Sequence, residues 1–156
     1  MYSEVSVWVD APRSRVWRLV TDIENSADTI SGIDKVEILE RPIEGVRGLK
    51  WLETRTFYGK QATETMWIAE AAEPAYYVTE ANSHGTHYRT EIRLDEERGG
   101  TLLKMRFEGS PESGMAKFLS VVFGWLMKRS VSKALLQDLN DLKRAAEASQ
   151  GQASAS

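Results

Sequence analysis

The stretch SGMAKFLSVVFGWLMKRSVSKALLQDLNDLKRAAE, Ser113 to Glu147, reads as one long helix. Its apolar residues Met115, Phe118, Leu119, Val122, Leu126, Val131, Leu135, Leu139 and Leu142 fall mostly three or four apart, the spacing of one buried helical face. Its opening part, FLSVVFGWLMK, is apolar almost all the way round. That is more than one core face needs, and such an excess is met by deep burial or by contact with a ligand, a partner or a membrane. Everything upstream of this helix reads as strands that could receive it.

At 156 residues the chain is the size of one domain with a sound core. Hydrophobic residues make up 42% and charged residues 28%, a globular balance, and five Trp supply large apolar faces. The net charge of −3 argues against nucleic acid as a partner, which calls for a broad positive field. Cys is absent, which removes disulfides, thiol nucleophiles and Cys-ligated metal sites together. The opening MYSEVSVWVDAP lacks the basic and apolar pattern of a signal peptide, and no apolar run reaches the roughly eighteen residues of a membrane span. A cytoplasmic location is the expectation.

Tyr2 to Asp10 alternates, with Val5, Val7 and Val9 on one face, and predicts a strand. Pro12 opens a short helix to Asp22 that places Val16, Trp17 and Val20 on one side. A second short helix or turn covers Ile23 to Ile30. Strands follow at Lys35 to Arg41 and, after a loop from Pro42 to Gly48, at Leu49 to Tyr58. Gly59-Lys60 is a candidate two-residue hairpin turn, and this register pairs Arg55 with Glu64 and Trp51 with Ile68. One face then carries Trp51, Glu53, Arg55, Phe57, Glu64, Met66 and Ile68. The other carries Thr54, Thr56, Thr63 and Thr65, with Leu52 and Trp67 as exceptions, and the threonine face is the wet one.

A second tight turn at His84-Gly85 joins strands Tyr76 to Ser83 and Thr86 to Leu94. It sets Tyr77, Thr79 and Ala81 beside Ile92, Thr90 and Tyr88, with Glu80, Arg89, Asn82 and His87 on the opposite face. A loop from Asp95 to Gly100 leads into Thr101 to Gly109, with Leu103, Met105 and Phe107 inward. The domain spans residues 1–147, and 148–156, rich in Ala, Ser, Gln and Gly, is expected to be a disordered tail.

The order of strand, two short helices, six strands and long C-terminal helix carries the phrases VDAPRSRVWRLVTDIE, SGIDKVEIL, RGLKWLETRTFYGKQATETMWIAEAAEP and GTLLKMRFEG. Together they resemble the START-like (SRPBCC) superfamily over residues 2 to about 145, and within it the bacterial polyketide cyclase/dehydrase and lipid-transport group. The resemblance implies an α+β helix-grip fold, a curved antiparallel sheet of about seven strands wrapped around the C-terminal helix and enclosing a cavity for an apolar ligand. The scaffold hosts carriers, aromatase/cyclases and co-chaperone-type modules, and supplies no universal catalytic motif. No catalytic residue is therefore carried over.

Glu53, Arg55 and Glu64 form the sharpest candidate cluster. A guanidinium between two carboxylates can line the polar end of a pocket, form a structural ion pair, or position an acid for proton transfer. The ligand-binding candidates are Trp51, Glu53, Arg55, Glu64, Met66, Tyr77, Thr79, Tyr88, Thr90, Met105 and Phe107 on the sheet, with Phe118, Val122 and Trp125 on the helix. His84 and His87 lack a third metal ligand at diagnostic spacing, so no metal site is expected, and nothing calls for a cofactor. Entry is expected between the first half of the helix and the loops at Gly45 to Gly48 and His84-Gly85.

Three functions fit. One is a carrier or sensor of an apolar small molecule such as a lipid or polyketide-like compound, acting as monomer or homodimer. Another is an enzyme of cyclase, aromatase or dehydratase type using the same cavity without metal or nucleotide. The third is a protein-interaction module, or one making transient membrane contact, through the helix face Phe118, Val121, Phe123, Trp125 and Leu126.

Overall fold

The computed structural model describes the backbone of residues 2–57, 59–83 and 85–155, with side chains except those of residues 57, 115, 116, 118–127 and 149–155. Seven antiparallel strands form one sheet in the order β1-β7-β6-β5-β4-β3-β2. They are β1 (Tyr2–Val9), β2 (Ile33–Glu40), β3 (Lys50–Phe57), β4 (Lys60–Ala72), β5 (Tyr76–Ser83), β6 (Thr86–Glu97) and β7 (Gly100–Pro111). Two short helices, α1 (Arg13–Val20) and α2 (Ser26–Thr29), follow β1, and α3 (Gly114–Ala155) ends the chain. Its helical backbone continues past Glu147, through the segment whose composition predicts a tail.

Short turns set the meander from β2 to β7. Arg98 and Gly99 both have positive φ, 50° and 76°, the geometry of a type I′ hairpin, so β6 and β7 run to Glu97 and from Gly100. The open loop expected over 95–100 is thus a two-residue turn. The β5–β6 register matches the sequence reading residue for residue, with Thr79 opposite Thr90 and Tyr77 opposite Ile92. The β3–β4 register differs. Trp51 pairs with Met66, Glu53 with Glu64 and Arg55 with Ala62, because the hairpin closes at Phe57 and Lys60 and Gly59, at φ 77°, takes the second central position rather than the first. A shift of two residues preserves the face, so the inward set is the one expected while the partners change.

The core lies where α1 and the second half of α3 meet the sheet. Val9, Val16, Trp51, Ile68, Leu94, Leu103 and Leu139 are buried to 1% exposure or less. Trp17 packs edge-on to Tyr77 at 5.9 Å, and the Tyr77 hydroxyl donates to the Val20 carbonyl at 3.0 Å. Thr101, fully buried, donates to the Ala11 carbonyl at 2.9 Å. Leu135, Leu139, Leu142 and Ala146 make the stripe on α3, and polar clamps fix it: Lys143 Nζ donates to the Trp8 carbonyl at 2.7 Å, and Glu147 accepts from the Asp10 amide at 3.1 Å.

The β2–β3 loop belongs to this packed end, since Gly48 donates to the Ile68 carbonyl at 2.9 Å. Gly45 to Gly48 therefore lies at the other end of the strands from the start of α3, and an entrance bordered by both is not what the topology provides. The β5–β6 turn does meet α3. The Gly85 carbonyl accepts from the amides of Glu112 and Ser113 at 2.7 and 3.1 Å. Gly85 has φ 73°, and a Cβ there would lie 2.5 Å from Ser113 Oγ. Gly85→Ala is accordingly expected to destabilise the fold by about 2 kcal/mol in denaturant unfolding, combining left-handed strain with that clash.

Candidate functional site

The concave face divides along its strands. At the packed end, Trp51, Tyr77, Ile92, Leu103 and Met105 are buried in the core. Toward the β3–β4 and β5–β6 turns, Thr79 and Ala81 form a buried floor, while Glu64, Met66, Tyr88, Thr90 and Phe107 stay half-buried. Tyr88 and Phe107 lie 5.5 Å apart with rings tilted by 30°. Burial raises the Tyr88 phenol above its ordinary pKa, the Thr86 hydrogen bond opposes this, and the charge of Glu64 adds to it. Phe118, Val122 and Trp125, the helix side of the expected site, lie outside the described side chains.

The polar cluster is real but differently paired. Arg55 Nε donates to Glu53 at 2.8 Å, and its two terminal nitrogens donate to the oxygens of Asp138 at 3.2 and 2.8 Å. Trp51 Nε1 donates to the other oxygen of Glu53 at 3.3 Å. The second carboxylate on Arg55 is thus Asp138 of α3, not Glu64. Burial disfavours the charged guanidinium, but Glu53 and Asp138 outweigh it and hold Arg55 more firmly protonated than usual. Burial also pushes the Asp138 carboxyl upward against the pull of Arg55. The bidentate geometry is that of a charge-assisted pair.

Asp138 lies three residues after Leu135 and four before Leu142, on the stripe itself. A carboxylate interrupting an apolar stripe is the signal by which sequence could have found it. Gly32 makes the room, since a Cβ there would sit 3.1 Å from Arg55 Nη1. One helical turn on, Asp141 accepts from the Ser31 amide at 2.9 Å, the Ser31 hydroxyl at 2.8 Å and Arg144 at 2.6 Å.

Burial would raise the pKa of Asp141, but the Ser31 bonds and Arg144 together lower it. A carboxyl with a folded-state pKa below its unfolded value stabilises the fold above the ordinary aspartate range, and the contribution is lost as pH falls through the lowered value. Asp141→Asn should therefore cost roughly 1 kcal/mol at pH 7 and flatten the loss of stability measured between about pH 5 and pH 2.

Outside the concave face, His87 Nδ1 lies 2.7 Å from Asn82 Oδ1 on the opposite side of the sheet, and His84 lies outside the described residues. Among the described residues no helix is long and apolar enough to cross a membrane.

A sequence model for the family described as polyketide cyclase / dehydrase and lipid transport matches residues 3–147. The chain belongs to this family. No curated protein sequence matches it. Solved structures of similar fold include TTHA0849 from Thermus thermophilus, with 16% identity over 96% of this chain and 99% of that one at a TM-score of 0.80. A START superfamily protein from Mycobacterium smegmatis is 16% identical over 94% and 97%, with a TM-score of 0.75. The Zhui aromatase/cyclase from Streptomyces sp. R1128 is 21% identical over 94% and 93%, with a TM-score of 0.67. At these identities the likeness is one of fold. The polyketide cyclase/dehydrase and lipid-transport family thus accounts for the helix-grip architecture, the sheet curved around α3.

Proposed function

We propose that the protein is a carrier or sensor that holds an apolar small molecule, such as a lipid or polyketide-like compound, against the half-buried part of the concave face. The observation that carries this reading is the contrast along single strands. Ile68, Ile92 and Leu103 are buried to 4% exposure or less, while Met66, Thr90 and Phe107 on the same strands and face stay partly open. Apolar and hydroxyl-bearing groups left open beside a finished core are what a weakly polar ligand would cover. Each 100 Å² of apolar area so covered contributes roughly 2.5 kcal/mol before the costs of binding.

The ion-paired Arg55, Glu53 and Asp138 hold the sheet to α3 and orient whatever enters. Each of the three is hydrogen-bonded to another of them, which favours binding over acid–base turnover. A second reading, a cyclase-type enzyme in the same place, draws on Glu64. It is half-buried, directly opposite Glu53, and without a hydrogen bond or ion pair among the described residues, with the Tyr88 phenol close enough to feel its charge.

The neutral fluorophore N-phenyl-1-naphthylamine tests the binding reading. Saturable binding is expected, and Met66→Asp should weaken it at least tenfold, whereas Leu39→Asp on the outer face should leave it unchanged. Equal effects of the two substitutions would place the probe elsewhere. Native mass spectrometry of protein purified from cells should show a co-purifying apolar compound, and turnover of that compound abolished by Glu64→Gln would favour the enzyme.

A further inference from the structure

Between the β2–β3 edge of the sheet and α3 lies an open groove of about 420 Å³. Gly32, Arg55 and Thr56 line one wall, and Arg129, Lys133 and Gln137 line the other, with Asp138 at the base. Arg129, Lys133 and Gln137 are four residues apart and so stand on one face of the helix. Arg129 and Lys133 are exposed and have no ion pair with any described carboxylate, so two like charges stand one turn apart on this wall.

Each of the nearby carboxylates has its own hydrogen-bond partner, Asp34 a neutral one. Glu53 and Asp138 hold Arg55, and Asp34 accepts from the Thr56 hydroxyl at 2.6 Å. Three of the five N–H groups of Arg55 are used by these carboxylates, and the other two have no acceptor among the described residues. Arg55 also joins the groove to the concave face, because Glu53, its partner, sits directly opposite Glu64, two residues from Met66.

We infer that this groove receives the anionic head, carboxylate or phosphate, of an amphipathic ligand whose apolar body lies on the concave face. Arg129 and Lys133 supply the charge, and the free N–H groups of Arg55 fix the head at the point where the apolar face begins. The inference rests on the binding reading above and adds to it the class of ligand.

The test uses compounds with one chain and different heads. Dodecanoate, dodecyl phosphate and dodecanol are each titrated against bound N-phenyl-1-naphthylamine, with the unsubstituted protein and with the Arg129→Glu/Lys133→Glu and Arg129→Gln/Lys133→Gln variants, whose folding is checked by circular dichroism. Both anions should displace the probe at concentrations at least tenfold below dodecanol. That advantage should disappear in the glutamate variant, shrink in the glutamine variant, and fall between 50 and 500 mM salt, as exposed cations require. Equal displacement by anions and alcohol, or an advantage that survives Arg129→Glu/Lys133→Glu, would overturn the anion site while leaving the binding reading intact. Equal potency of inorganic phosphate and dodecyl phosphate would overturn the amphipathic ligand. Failure of the fluorophore to bind at all would instead remove the reading on which the groove depends.

Discussion

Trp51→Ala is expected to destabilise the protein by about 4 kcal/mol in denaturant unfolding, the largest effect of any single substitution considered. Trp51 is 1% exposed and lies in the cluster with Ile68, Leu139 and Leu142, so truncation leaves a cavity that fixed strands on both sides cannot collapse. It also strips Glu53 of the indole N–H at 3.3 Å. The consequence for function is specific. Trp51→Phe, which keeps most of the volume, should cost less than half as much and leave affinity for the apolar fluorophore within twofold. A tenfold loss of affinity in the phenylalanine variant would return Trp51 from the core to the ligand.

Asp138→Ala is expected to cost about 3 kcal/mol. Removing one partner of a buried ion pair typically costs about 3–5 kcal/mol, because the other charge is left in a poor solvent. The low end applies here, since Arg55 keeps Glu53 and its side chain is 26% exposed toward the groove. Arg55→Met combined with Glu53→Leu and Asp138→Leu should recover at least half of that loss, since Glu53 is the other carboxylate on Arg55 and three apolar side chains leave no charge unpaired. If the triple variant is as unstable as Asp138→Ala alone, the unpaired charge is not the source of the cost. Thermal unfolding at pH 7 of the two variants decides this.

Much of the architecture was legible because local chemistry dictates it. The β5–β6 register followed from a Gly in a two-residue turn flanked by alternating strands, and Gly85 does adopt positive φ. The β3–β4 register slipped by two because Tyr58-Gly59 and Gly59-Lys60 both put Gly at a central turn position and differ only in which one. Both keep Glu53 and Arg55 inward, so face assignment survives an error that partner assignment does not. The loop expected over 95–100 contains Arg98, whose positive φ is unusual for a residue with a side chain, and sequence offers no sign of that choice.

The candidate site was legible on the sheet and much less so on α3. A period of 3.6 shows which helix residues face inward, but not which strand residue each one meets. Arg55 and Asp138 are 83 residues apart, and only the crossing of α3 over β3 brings them together. Arg129 and Lys133 look in sequence like any solvated helix charges. Their significance comes from the Gly32 and Arg55 wall that faces them across the groove.

The central claim, an apolar ligand on the half-buried part of the concave face, is tested most directly by intermolecular nuclear Overhauser effects between unlabelled N-phenyl-1-naphthylamine and isotope-labelled protein. Contacts are expected from the ligand to the Met66 methyl, the Thr90 methyl and the Phe107 ring, and none to the Ile68 or Leu139 methyls in the core. Contacts confined to the outer surface around Leu39 and Leu136, with Met66 and Thr90 silent at saturating ligand, would contradict it.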